Sequence, residues 1–207
     1  MTAASRERAA LVDTMRAAGP DAPTLCGDWT TRDLAAHLIL RERRPDAAAG
    51  ILIPKLAGYT ARKQQQLAEG NQWPALLDMI ASGPPLYSPL KLLDPLVNTT
   101  EMFIHHEDVR RAAPGWQPRE LDDDLATALR RQVRLAARMS LSRVPATVTL
   151  QDSDGTTLAS VGKGPHCAVT GAAPELLLFL SGRDAAQIEF TGADDTVEQV
   201  RTARRRL

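Results

Sequence analysis

The chain contains two cysteines, Cys26 and Cys167, among 207 residues, too few for a disulfide framework. It carries no net charge, because 25 lysines and arginines balance 25 aspartates and glutamates. Phosphate binding usually needs a basic surplus, so no nucleic-acid partner is expected. No apolar run approaches the roughly 18 residues of a membrane span, and no membrane partner is expected either. The opening Met1-Thr-Ala-Ala-Ser-Arg-Glu-Arg is polar and leads straight into a helical pattern, unlike a signal peptide. The expected location is therefore the cytoplasm. Internal repeats and low-complexity tracts are also lacking. What is present suits a globular chain with a buried core: 43% hydrophobic and 24% charged residues.

The first two thirds read as helices. Residues about 4–18 place Ala9, Leu11 and Met15 at near-helical spacing, and Gly19-Pro20 ends the run. Thr30 and Asp33 then form a capping-box pattern, with Trp29 and Leu34 at the two positions of a hydrophobic staple. A helix should run from about 31 to 44, closed by Pro45. A third, broken at Gly58, should span about 54–81, where Ser82-Gly-Pro-Pro stops it. A crossover loop through Tyr87-Ser-Pro-Leu leads to Asp94, the expected cap of a fourth helix with Pro95 in its first turn, reaching about Ala112. A fifth helix, about 120–141, begins with acids and ends with arginines, as the helix dipole favours.

After Pro145 the pattern changes. Strands are expected at 146–151, 156–161 and 166–171, with a turn at Asp152-Ser-Asp-Gly. A short apolar helix follows at 173–180, then a strand at 186–191 and a last helix at 194–205. The expected class is α+β: an N-terminal helical bundle over 1–144 and a small α+β C-terminal domain over 145–207.

Four histidines occur. Glu101 and His105 are four apart and project from one helical face on successive turns, so they can grip one cation together. His37 lies mid-helix in an apolar setting and can supply a third donor across the bundle. Two imidazoles and a carboxylate leave coordination positions for water or substrate, which suits zinc or another first-row metal. His106 points about 100° away from His105 around the helix. Asp108 can orient a neighbouring histidine, or pair with Arg111 in solvent. His106 and Asp108 are the candidate catalytic acid–base groups. His166 reads as a polar residue on a strand face, and Cys167 as a small buried hydrophobe. Cys26 is expected to be structural or incidental. Trp29, Trp73 and Trp116 flank helix ends as packing anchors, and the arginines of 201–206 fit a solvated helix C-terminus.

Three segments also carry a resemblance. The stretch Cys26-Gly-Asp-Trp-Thr-Thr-Arg-Asp-Leu-Ala-Ala-His37-Leu resembles the opening motif of the mycothiol-dependent maleylpyruvate isomerase family. That family belongs to the DinB/YfiT-like metal-binding helical bundles. Glu101-Met-Phe-Ile-His105-His106-Glu-Asp108 resembles its second metal motif, and 101–119 is similar to an actinobacterial branch of metal-binding proteins. The segment from Val169 to Arg183 is similar to the family's C-terminal domain. The resemblance implies a DinB-like up-and-down bundle and a metal triad of His37, Glu101 and His105. It implies that the metal binds and activates mycothiol or another low-molecular-weight thiol, which adds to an electrophilic substrate in isomerisation or S-transfer. Arg183 matches an arginine that either reaches an anionic substrate or thiol, or simply ends a helix in solvent. The run from His105 to Arg111 departs from the isomerase itself, so the second substrate stays open. A metal-dependent hydrolase and a non-catalytic metal- or ligand-binding protein are the alternatives, as a monomer or homodimer.

Overall fold

A computed structural model describes residues 2–86, 88 and 95–203. The chain divides into two compact units, Met1–Gln117 and Pro118–Leu207. In the first unit the helices are α1 (Ala3–Ala18), α2 (Thr31–Arg43), α3 (Pro45–Leu52), α4 (Ala57–Gly70), α5 (Trp73–Ala81) and α6 (Pro95–Arg110), with one 3-10 turn at Pro54–Leu56. The second holds α7 (Asp123–Leu141), β1 (Thr147–Gln151), β2 (Thr157–Gly162), β3 (His166–Thr170), α8 (Ala173–Leu180), β4 (Glu189–Gly192) and α9 (Asp194–Arg201). Mixed helix and sheet is thus the observed class, in agreement with α+β. Among the described residues no helix is long and apolar enough to cross a membrane.

In the first unit, α2 starts at the capping box. The Thr30 hydroxyl accepts from the Asp33 amide at 3.3 Å, and the Asp33 carboxylate accepts from the Thr30 amide at 3.0 Å. These bonds satisfy donors that a helix start would otherwise orphan. Pro45 ends α2 but also begins α3, because a proline at the first helical position gives up an amide that has no helical partner anyway. The sequence pattern marks Pro45 only as a stop and gives no sign of α3. The expected break near Gly58 falls at 56/57, where the 3-10 turn gives way to α4, and a second break, not expected, separates α4 from α5. There the Asn71 side chain caps the Leu67 carbonyl at 2.9 Å, and Pro74 sits in the first turn of α5. The expected crossover from Tyr87 to Leu90, apart from Ser88, and the cap at Asp94 lie outside the described residues. So does the end of the last expected helix, beyond Ala203.

Leu11, Met15, Leu34, Leu38, Leu76 and Met102 are among the residues that interlock α1, α2, α5 and α6 into one core, with Trp29 and Trp73 against it. A buried ion pair ties three of these helices. Arg8 of α1 binds Glu42 of α2 through both guanidinium nitrogens and donates to the Ile80 carbonyl of α5 at 3.0 Å.

In the second unit the sheet order is β2-β1-β3-β4. β1 and β2 form the expected antiparallel hairpin, turned at Gly155 with φ of 82°. β3 runs parallel to β1, and β4 antiparallel to β3. α7 packs on α8 and β2. The expected division, at 144/145, groups that helix with the bundle, whereas the compact units part at 117/118. α8 is buried from Leu176 to Leu180. It ends in a Schellman turn in which Gly182, at φ 86°, lets the Arg183 amide reach back to the Leu178 carbonyl at 3.0 Å.

Candidate metal centre

α6 carries Glu101, His105 and Asp108 one turn apart on a single face. Nε2 of His105 lies 3.3 Å from Oε1 of Glu101, and Nδ1 of the same ring lies 2.9 Å from Oδ2 of Asp108. The two edges of one imidazole therefore meet two carboxylates. α2 brings His37 to the Glu101 side. Its ring centre is 5.5 Å from that of His105, at an interplanar angle of 71°. Trp29, the staple residue ahead of the cap, covers the other side of His37 at 5.1 Å between ring centres. The donor atoms of His37, Glu101 and His105 all lie within 4.8 Å of one another. Three donors bonded to one tetrahedral zinc sit roughly 3.3 Å apart. The His105–Glu101 spacing already has that value, and the set of two nitrogens and one oxygen suits such an ion.

Cys26, His105 and Asp108 form a second group with the same spread. The Cys26 thiol donates to Oδ2 of Asp108 at 3.0 Å, and its sulfur is 3.9 Å from Nδ1 of His105. The turn that carries Cys26 is pinned to the same residue by its backbone, since the Leu25 amide donates to the Asp108 carbonyl at 3.0 Å. Asp108 is fully buried and engages Nδ1, so Nε2 is the nitrogen turned toward Glu101 and His37. A carboxylate on the far nitrogen is the usual support of a ligating histidine.

The charges of the site are strongly coupled. Burial, helped by the positive charges of His105 and Arg41, pushes the His37 imidazole down to about 4 against the pull of Glu101. Burial alone would raise the Glu101 carboxyl, but the hydrogen bond and charge of His105, with Arg41 and His37 behind them, bring it down to about 2. Burial opposes charge at His105 too. Hydrogen bonds with Asp108, Cys26 and Glu101 outweigh it and hold this imidazole well above the ordinary histidine range.

The remaining candidates fall elsewhere. His106 is not brought to the site. Its Nδ1 meets Oε1 of Glu7 and its Nε2 meets Oγ1 of Thr14, both at 2.8 Å, so the ring is spent on packing α6 to α1. The helical angle from His105 puts it there, and it is withdrawn as an acid–base candidate. Asp108 is at the site but holds His105; the expected alternative, an exposed pair with Arg111, is replaced by Arg111 bonding Glu107 at 2.6 Å. Arg183 belongs to the second unit, where its Nη1 donates to the Ser181 carbonyl at 2.6 Å. It lines an open cleft there with Phe179, Ile188, Phe190 and Arg201. His166 is exposed on its strand and bonds Thr149 at 3.0 Å, and Cys167 is buried, both as expected.

Two residues at the site escaped the sequence reading. Cys26 carries no local sign that its turn docks on a residue 82 positions later. Arg41 left a faint signal, because it stands four positions after His37 and so on the same helical face. Its Nε lies 3.3 Å from Oε1 of Glu101. No family description, curated protein or solved structure matches the chain.

Proposed function

We propose that this chain is a divalent-metal-binding protein in which His37, Glu101 and His105 hold the ion, zinc being the first to test. The observation that carries the reading is the convergence of these three donors from two helices to within 4.8 Å of one another. Chance pairs along one helix do not bring in a third donor from another helix with its ring only 5.5 Å away. The first unit, on this reading, is a DinB-like up-and-down bundle.

The working substrate of the same proposal is a low-molecular-weight thiol, mycothiol first, joined to an electrophile by isomerisation or S-transfer. A bound divalent ion supplies the acidity that turns a thiol into a thiolate near neutral pH. The chain's own groups set the conditions. Asp108 fixes the face that His105 presents. Trp29 shields His37 from water. Glu101, with 27% of its side chain exposed, marks the side from which a small molecule enters, since the His105 side chain is only 10% exposed. A reducing cytoplasm, where such thiols stay reduced, belongs to this reading.

The test is elemental analysis of the purified chain, then titration of mycothiol and of dithiothreitol into cobalt-loaded protein. A sulfur-to-cobalt charge-transfer band is expected. It should persist in Cys26→Ser, which rules out the protein's own nearby sulfur, and vanish in Glu101→Ala. Tight cobalt binding with no thiol-dependent band would leave the metal and remove the thiol, in favour of hydrolysis or plain metal binding.

A further inference from the structure

The His105 ring has two edges, and only one of them faces His37 and Glu101. On the other edge, Nδ1 lies 2.9 Å from Oδ2 of Asp108 and 3.9 Å from Sγ of Cys26, and that sulfur lies 3.0 Å from the same Oδ2. These separations leave a point about 2.0 Å from all three atoms, beside zinc bonds of roughly 2.0–2.2 Å to nitrogen and oxygen and about 2.3 Å to sulfur. A zinc-sized ion fits close to their plane, and a larger one fits above it. The donors are built in from two directions. α6 fixes His105 and Asp108 three apart on one face. Cys26 comes from a turn held on both sides: the Leu25 amide donates to the Asp108 carbonyl at 3.0 Å, the Cys26 amide to the Thr24 hydroxyl at 3.2 Å and the Trp29 amide to the Cys26 carbonyl at 3.3 Å. Hydrogen bonding alone makes poor use of the sulfur. Asp108 is fully buried and its Oδ2 already meets the imidazole, while a thiol is a weak donor that a serine hydroxyl would outdo.

We propose that Cys26, Asp108 and Nδ1 of His105 form a second metal position, for a thiophilic divalent ion softer than zinc. The sulfur draws such an ion, whereas the two nitrogens and one oxygen of the His37 triad do not distinguish it. Thiolate and carboxylate together carry the two negative charges that match a divalent ion, which lets the position stay buried. The ion takes the place of the thiol proton and of the proton between Nδ1 and Asp108, and both pass to solvent. Cys26 is only half-buried, which gives the ion its way in. The position takes no donor from His37 or Glu101, so it stands whether or not the triad holds an ion. With both filled, the ring bridges the two ions as an imidazolate.

The experiment titrates cadmium into the metal-stripped full chain, with no thiol added, and reads the ultraviolet sulfur-to-cadmium charge-transfer band. The wild type should develop the band. Cys26→Ser should lose it, Glu101→Ala and Cys167→Ser should keep it, and Asp108→Asn should need about tenfold or more cadmium to reach it. No band in the wild type overturns the proposal and leaves the triad untouched. A band that survives Cys26→Ser, or is lost in Cys167→Ser, overturns it by tracing the sulfur to Cys167. A band lost in Glu101→Ala also overturns it, since the sulfur would then belong to an ion held by the triad. So does an Asp108→Asn titration that matches wild type. If circular dichroism shows Cys26→Ser unfolded, alkylation of Cys26 by iodoacetamide in the wild type, located by mass spectrometry, decides. Cadmium should block it, and equal labelling with and without cadmium overturns the proposal. A chain that shows the cadmium band, but no thiol-dependent band when loaded with cobalt, loses the thiol reading and keeps this position.

Discussion

Loading zinc into metal-stripped protein should drive one proton off His105. The imidazole lies between Glu101 and Asp108, which hold its charged form well above the ordinary histidine range. A ligating nitrogen must be bare, so binding competes with that proton. The other two donors are already in their ligating forms near neutrality, His37 uncharged with its value at about 4 and Glu101 ionised at about 2. The expected release between pH 6 and 7 is therefore about one proton per ion, and affinity should climb about tenfold, or about 1.4 kcal/mol, per pH unit. As the pH falls below the value of His37, a second proton joins and the slope steepens toward two. Isothermal titration calorimetry in buffers of different ionisation enthalpy measures the release directly. Asp108→Asn should lower it, because the carboxylate that holds the His105 proton is gone. Release near zero at pH 6, with affinity flat across the range, would refute the reasoning by showing His105 neutral before the ion arrives.

Further outcomes follow from the same geometry. His105→Ala should lose metal affinity by about a hundredfold or more, while His106→Ala should keep most of it and instead cost about 1–3 kcal/mol of stability, since the buried Glu7 loses its bond with the His106 ring; metal titration and urea unfolding of both variants check this. Metal-free protein should lose stability as the pH falls from 6.5 toward 4, because the unfolded chain protonates His37 more readily than the folded one does. The lowered value corresponds to about 3 kcal/mol. His105 acts with the opposite sign: its contribution is complete below 6.5 and fades as the pH rises through its raised value. Thermal unfolding across pH should therefore show greatest stability between these limits, and His37→Leu should flatten the acid side.

The sequence was most legible where a local pattern and a local structure coincide. The capping box at Thr30 and Asp33 fixed the start of α2, and helical spacing put Glu101, His105 and Asp108 on one face. The hairpin turn at Asp152–Gly155 was equally plain. Prolines were less legible, since Pro45 both stops one helix and starts the next, and only the three-dimensional path tells which role dominates. The division between units was misplaced because α7 has an apolar face that would suit a bundle as well as a sheet. Leu129, Val133 and Ala137 carry no mark of what they pack on. Cys26 was hidden for a similar reason: its partner lies far along the chain, and only the docking of the turn at 19–30 onto α6 brings them together.

The capping box described above has a bearing on what lengths of chain this fold tolerates. Seven positions separate Thr30 from His37, and seven separate Glu101 from Asp108. Seven residues fall only about 20° short of two whole helical turns. Cap and donor on α2 are thus in phase, and so are the outermost members of the α6 face. Inserting a single residue within either interval would swing the downstream side chain by about 100°, out of the site and into the packed core or solvent. Substitutions can accumulate at the positions between, but insertions cannot. Changes of length are left to stretches outside these two rulers, such as the linker around 111–122, where no helix counts residues for the site.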